Sequence, residues 1–167
     1  MSDILNHSYT EYMSARHRLE GKKMKKIVVA VSGGFDPVHV GHIRMFAAAR
    51  RLGNFLIVII NNDNWLRKKK GAPFLPEQER KEIIESLRMV DGVVLTRHPK
   101  NPSDMSVSEA LRRIRPQVFA NGGDRTRNNI PEVAVCRELG TRMVFSVGGK
   151  KIQSSSWLLK KFVRNQK

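Results

Sequence analysis

A Rossmann-like α/β fold, a parallel β-sheet of about five strands with helices on both faces, is predicted by three features of this 167-residue sequence. Short apolar runs rich in β-branched residues alternate with segments of helical period. The runs are apolar throughout, as in strands buried on both faces. Turn and cap residues punctuate the junctions, and strand–helix alternation calls for right-handed crossovers onto one parallel sheet.

The elements follow in order. Residues 1–25 read as an N-terminal extension, helical in part, with a thin stripe of Tyr9, Tyr12, Met13 and Leu19. A single domain over 26–167 follows. Lys26–Ser32 is the first strand, and a helix runs from about Gly41 to Leu52, ended by Gly53 and Asn54. Phe55–Ile60 is the second strand, and Asn61–Leu75 reads as a long basic loop. Pro76 opens a helix whose first turn holds Glu77 and Glu79 and whose stripe is Ile83, Ile84, Leu87 and Val90. Gly92–Thr96, Gln117–Asn121 and Arg142–Val147 are the remaining strands. Ser106–Arg115, Pro131–Leu139 and Ser154–Val163 are the remaining helices. In such a sheet a ligand sits at the carboxyl ends of the strands.

Charge is the outlying bulk property. Lys and Arg total 31 against 15 Asp and Glu, a formal +16. Of the basic clusters at Arg16–Lys26, Arg67–Lys70 and Lys150–Lys167, the first two hold no Phe, Tyr or Trp and the last only Trp157 and Phe162, short of the aromatic interleaving of a base-stacking surface. The charge therefore reads as a solvated surface serving polyanionic small substrates, with nucleic acid the less favoured partner. The longest apolar runs fall far short of the roughly 20 residues of a membrane span, and no signal peptide is seen. Cys136 is the only cysteine, which excludes an internal disulfide and suits a cytoplasmic protein.

The most informative segment is Gly33–Gly34–Phe35–Asp36–Pro37–Val38–His39–Val40–Gly41–His42. It leaves a strand and enters a helix. Adjacent glycines let backbone N–H groups approach an anion, and a helix start favours negative charge. His39 and His42, three apart, can face one phosphate. A zinc site is the weaker reading, because no third ligand stands beside them. Near the other end, Ser154–Ser155–Ser156 opens the last helix with more hydroxyls than a cap requires.

The ten-residue segment resembles the HxGH signature of the cytidylyltransferase-like nucleotidyltransferase superfamily, and the resemblance covers roughly residues 26–165. It is strongest toward the glycerol-3-phosphate cytidylyltransferases and the heptose-phosphate adenylyltransferase domain. It implies that His39 and His42 stabilise charge at the α-phosphate. It implies that Lys70, at the end of the basic run, reaches the phosphates as a third catalytic group, and that Arg80 meets the substrate phosphate. Nucleotide binding then falls to Gly33, Gly34, Phe35, Asp36, Gly41, to Gly122, Gly123 and Asp124 after the fourth strand, and to Ser154, Ser155 and Ser156. Two positions depart from the pattern: Gly34 stands where threonine is usual, and Lys150 or Lys151 stands near the place of a missing arginine.

The resemblance further implies transfer of CMP from CTP onto a phosphorylated polyol, alcohol or sugar, with release of pyrophosphate. Mg²⁺ would be held largely by the phosphates, with no metal ligands in the protein. Adenylyl transfer from ATP onto a sugar 1-phosphate is the alternative. A non-catalytic basic module binding nucleotide or nucleic acid is the reading from another class. A homodimer is expected from the relatives, and no membrane partner.

Overall fold

The computed structural model describes residues 25–123 and 125–165. The expected extension lies outside these residues except for Lys25, whose carbonyl accepts a bond from Asn54 Nδ2 at 3.1 Å. The predicted site residue Asp124 also lies outside them.

Five strands form one parallel sheet: β1 (Val28–Gly33), β2 (Phe55–Ile60), β3 (Gly92–Leu95), β4 (Val118–Gly122) and β5 (Arg142–Val147). Their spatial order is β3-β2-β1-β4-β5. The chain thus builds outward from β1 in one direction, returns, and builds outward in the other. The crevice between the ends of β1 and β4 is the topological switch point, where open α/β sheets bind ligands.

The apolar runs divide between two cores. Val29 and Val31 of β1, Leu56, Val58 and Ile60 of β2, and Val118 and Ala120 of β4 face one side. There they meet Phe46 and Ala49 of α1 (Val40–Arg50) and Ile84 of α3 (Glu77–Glu85). Ala30, Ile59 and Phe119 face the other side. They meet Ala110 and Leu111 of α4 (Ser108–Ile114) and Val135 and Cys136 of α5 (Val133–Leu139). Burial pushes the Cys136 thiol up to about 11, so it stays protonated as a small core group.

One sequence expectation is overturned here. The stretch read as a basic loop contains a helix, α2 (Asp63–Lys70). The Asn62 side chain caps it by accepting from Trp65 N–H at 3.1 Å, and Gly71 ends it at φ 91°. Asp63 lies in its first turn and Arg67–Lys70 in its last, the polarity a helix dipole favours. The last helix, α6, covers Ser155–Arg164. Among the described residues no helix is long and apolar enough to cross a membrane.

Candidate active site

A cleft of ≈ 310 Å³ lies over the carboxyl ends of β1 and β4. Its centre is the turn from β1 into α1, and one flank is α2, which follows β2. The other flank is made by the segments after β4 and β5 and by the start of α6. Of the residues predicted from sequence, Gly33, Gly34, Phe35, His39, Gly41, His42, Lys70, Gly122, Gly123 and Ser154–Ser156 all line it.

The two histidines are stacked at the start of α1, with ring centroids 3.7 Å apart and 20° between planes. His39 is the N-cap, and its backbone N–H donates to His42 Nδ1 at 3.3 Å. With Nδ1 accepting, the proton of a neutral His42 sits on Nε2. Phe35 packs edge-on against His42, 5.0 Å between centroids, and against Phe46 at 5.1 Å. Phe35 holds φ at 50°, an uncommon conformation for a side-chain-bearing residue, and is 3% exposed. Gly41 is needed for the pair, because a Cβ there would stand 3.0 Å from His39 Cε1. Gly41 thus makes room for the His39 ring as well as lining the cleft.

Burial, then the neighbouring His39 and Lys70, push the His42 imidazole from 6.5 down to about 3. Burial also lowers His39, outweighing its own backbone hydrogen bond, which raises it; Lys70 adds to the lowering. Both rings are neutral donors near pH 7. Between about pH 6.5 and 3 the unfolded chain binds a proton that folded His42 refuses, so stability falls as pH drops through that window. The His42 ring resonances should stay unchanged from pH 8 to 5 in an NMR titration of the free protein. A midpoint near 6.5 would mean that the ring is solvated.

Lys70 reaches the cleft from the end of α2, and its Nζ donates to the Asp36 carbonyl at 3.0 Å. Partial burial lowers its pKa, opposed by Asp36. Lys69, Arg125, Lys150 and Lys151 also line the cleft, and the lining among the described residues contains no carboxylate. Such a surface suits a polyanion. The start of α6 is clamped onto it. Ser155 Oγ donates to the Pro37 carbonyl at 2.9 Å, and Ser154 Oγ accepts from Trp157 N–H at 3.1 Å. Ser156 is the exposed hydroxyl of the three.

Two predicted contacts are not formed by this geometry. Arg80 is fully buried and does not line the cleft. Its guanidinium donates to the carbonyls of Gly34 (2.7 Å), Asn61 (2.8 Å) and Leu75 (3.0 Å) and to Asp63 Oδ1 (2.7 Å). It braces the ends of β1 and β2, and no face is left for a substrate phosphate. Asp36 is 1% exposed, and its carboxylate accepts from Phe74 and Leu75 N–H, both at 2.8 Å. It pins the segment between α2 and α3 to the cleft floor and is not presented to a nucleotide.

Sequence reasoning missed Met45 and Trp65 as lining residues. A tryptophan three residues after an asparagine that follows a buried strand was the available sign for Trp65. Gly148, at φ 87°, lies where a Cβ would meet Met45 Cα at 2.7 Å. The segment after β5 thus runs hard against α1 and carries Lys150 and Lys151 to the rim.

The family model described as cytidylyltransferase-like matches residues 30–157. The chain is 37% identical over 102 residues to an FAD synthase of Pyrococcus horikoshii, covering 60% of this chain and 66% of that protein. It is 36% identical over 140 residues to the bifunctional protein HldE of Syntrophotalea carbinolica, covering 82% of this chain and 26% of that protein. The chain thus spans just under two thirds of the first relative and about a quarter of the second. A lipopolysaccharide core biosynthesis protein from Thermoplasma volcanium shares the fold, with a TM-score of 0.60 and 24% identity over 72% of this chain and 96% of that one.

Proposed function

The chain belongs to the cytidylyltransferase-like family of nucleotidyltransferases, and we propose that it transfers the AMP part of ATP onto the phosphate of a small phosphate monoester. The observation that carries this reading is the pair of neutral histidines set at the switch point between cationic flanks. Neutral imidazole N–H groups and lysines placed before the reaction stabilise charge where it grows, on the α-phosphoryl oxygens and the leaving pyrophosphate.

An oxygen of the acceptor phosphate forms the new bond to the α-phosphorus while the bond to the β-phosphate oxygen breaks. That oxygen leaves with the electron pair as part of pyrophosphate. His42 donates from Nε2 to a non-bridging α-oxygen, held in that tautomer by the His39 backbone. Lys70 and the start of α6 hold the rest of the triphosphate from the two sides of the cleft. No protein group need form a covalent intermediate, because the acceptor phosphate is itself nucleophilic. Mg²⁺ enters as part of the substrate, complexed by the triphosphate. The described lining supplies lysines, hydroxyls and amides but no carboxylate cage, a donor set that fits the phosphates and not a free hard cation.

The sequence alone leaned to CTP. The relatives move the choice to ATP, since FAD is FMN joined to AMP through a pyrophosphate bridge, so an FAD synthase yields an adenylyl product. Pyrophosphate release measured with ATP or CTP against FMN, a hexose 1-phosphate and glycerol 3-phosphate tests the proposal. ATP should exceed CTP by at least about tenfold in kcat/KM, a difference of about 1.4 kcal/mol in transition-state binding. A preference for CTP would restore the cytidylyl reading. No release from any pairing would remove the catalytic one.

A further inference from the structure

Trp65 stands in the first turns of α2, on the β2 side of the histidines, and its indole lines the cleft. It is half-buried. Its one polar atom is already used, because Nε1 donates to the Met105 carbonyl at 2.8 Å. That bond fixes the ring across the gap between α2 and the segment ahead of α4. The ring edge nearest the centre comes within 3.9 Å of where a Cβ on Gly34 would lie. A Cβ on Gly34 would collide with Leu66 Cδ2 at 2.9 Å and only touch the indole, so the indole borders the floor of the cleft beside the cationic end of α2.

The sheet order separates the two flanks. Gly122, Gly123, Arg125 and the segment after β5 lie on the β4 side, where Gly123, at φ 68°, has open space beside its backbone for a nucleoside. Trp65, Lys69 and Lys70 lie on the β2 side. If the nucleoside takes the first flank, the second is left for the acceptor. We infer that Trp65 is the specificity-determining wall for that acceptor. It selects phosphate monoesters whose body is a ring with an apolar face, a pyranose or a planar heterocycle, over open-chain polyol phosphates. With its N–H engaged, the indole offers only its π-surface. That surface rewards stacking or C–H contact from a ring, while Lys69 beside it takes the acceptor phosphate and Lys70 stays with the triphosphate. Stacking on an aromatic side chain strengthens the binding of a planar ring whatever its substituents, because every such ring has a π-face. An acyclic chain of hydroxyls gains little there.

The inference rests on the nucleotidyl-transfer reading for which flank the acceptor uses, and binding measurements separate the two. Calorimetric titration of the intact chain with FMN, a hexose 1-phosphate, glycerol 3-phosphate and ATP–Mg²⁺ is the experiment, on wild type, Trp65→Ala and Trp65→Phe. Trp65→Ala should weaken at least one ring-bearing phosphate by about tenfold or more, and leave ATP and glycerol 3-phosphate within about twofold. Trp65→Phe keeps an aromatic ring but loses the bond to Met105 and part of the π-surface, so it should restore part of the affinity, between alanine and wild type. Unchanged ATP binding in Trp65→Ala also reports that the variant is folded. Three results overturn the inference: ATP weakening as much as the acceptors, glycerol 3-phosphate weakening as much as the ring-bearing phosphates, or ATP binding with no ring-bearing phosphate bound. Failure of ATP to bind while Trp65 still governs the ring-bearing phosphates would remove the function proposed above and leave Trp65 standing only as the wall of a site selective for ring-bearing phosphates.

Discussion

His42→Ala is expected to lower turnover by at least about 100-fold, and His39→Ala by a similar factor, the cost of removing one prepositioned donor to a developing oxyanion. The roles are not identical. His42 is pressed between Phe35 and the His39 ring, and its tautomer is set by the His39 backbone N–H, a group that His39→Ala retains. His39→Ala therefore removes one ring donor and leaves the other in its tautomer. It also removes the stacking partner that holds His42 in place. His42→Ala removes a ring that touches the buried Phe35, so a stability loss of about 1 kcal/mol accompanies the kinetic one, the common size for a point substitution. KM for the triphosphate should change less than kcat in both, since the donors matter most once charge has grown. Steady-state pyrophosphate release and denaturant midpoints on the purified variants decide it. Turnover within about tenfold of wild type in both folded variants would remove the pair from catalysis.

The strands, their parallel pairing and the position of the glycine-histidine turn were legible because local pattern and global fold agree there. A run such as Phe55–Ile60 can be buried on both faces only inside a covered sheet, and it pairs with β1 over its whole length. α2 was not legible as a helix because its apolar stripe is only Trp65 and Leu66. Its cap asparagine, acidic first turn, basic last turn and terminal glycine were all present, but four basic residues in a row read as a solvated loop. The roles of Asp36 and Arg80 were hidden for another reason. A carboxylate and a guanidinium beside a phosphate site look the same in sequence whether they face the ligand or tie down the loops that do. Only the tertiary placement shows that their partners are the backbone groups of Gly34, Asn61, Phe74 and Leu75.

Arg80→Ala is expected to destabilise the fold by about 3–5 kcal/mol, the cost of breaking a buried ionic pair by removing one partner. The side chain is fully buried. It satisfies three main-chain carbonyls and one oxygen of Asp63, whose side chain is only 18% exposed. Truncation leaves those acceptors facing a cavity, and each unmet buried polar group costs on the order of 1–3 kcal/mol before relaxation. Arg80→Lys keeps the charge but not the planar fork, so it can reach some of the acceptors and not all, and should fall between wild type and alanine. The floor of the cleft depends on the same bonds, because Gly34 and Asn61 directly follow β1 and β2 while Leu75 leads into α3. Turnover should therefore fall along with stability, as a consequence of misplaced loops. A residue that touched substrate phosphate would behave differently: alanine would leave the denaturant midpoint nearly unchanged and raise the KM of the acceptor. Chemical denaturation with the slope m held constant separates the two. A midpoint shift equivalent to less than about 1 kcal/mol for Arg80→Ala would show that the guanidinium does not brace the site.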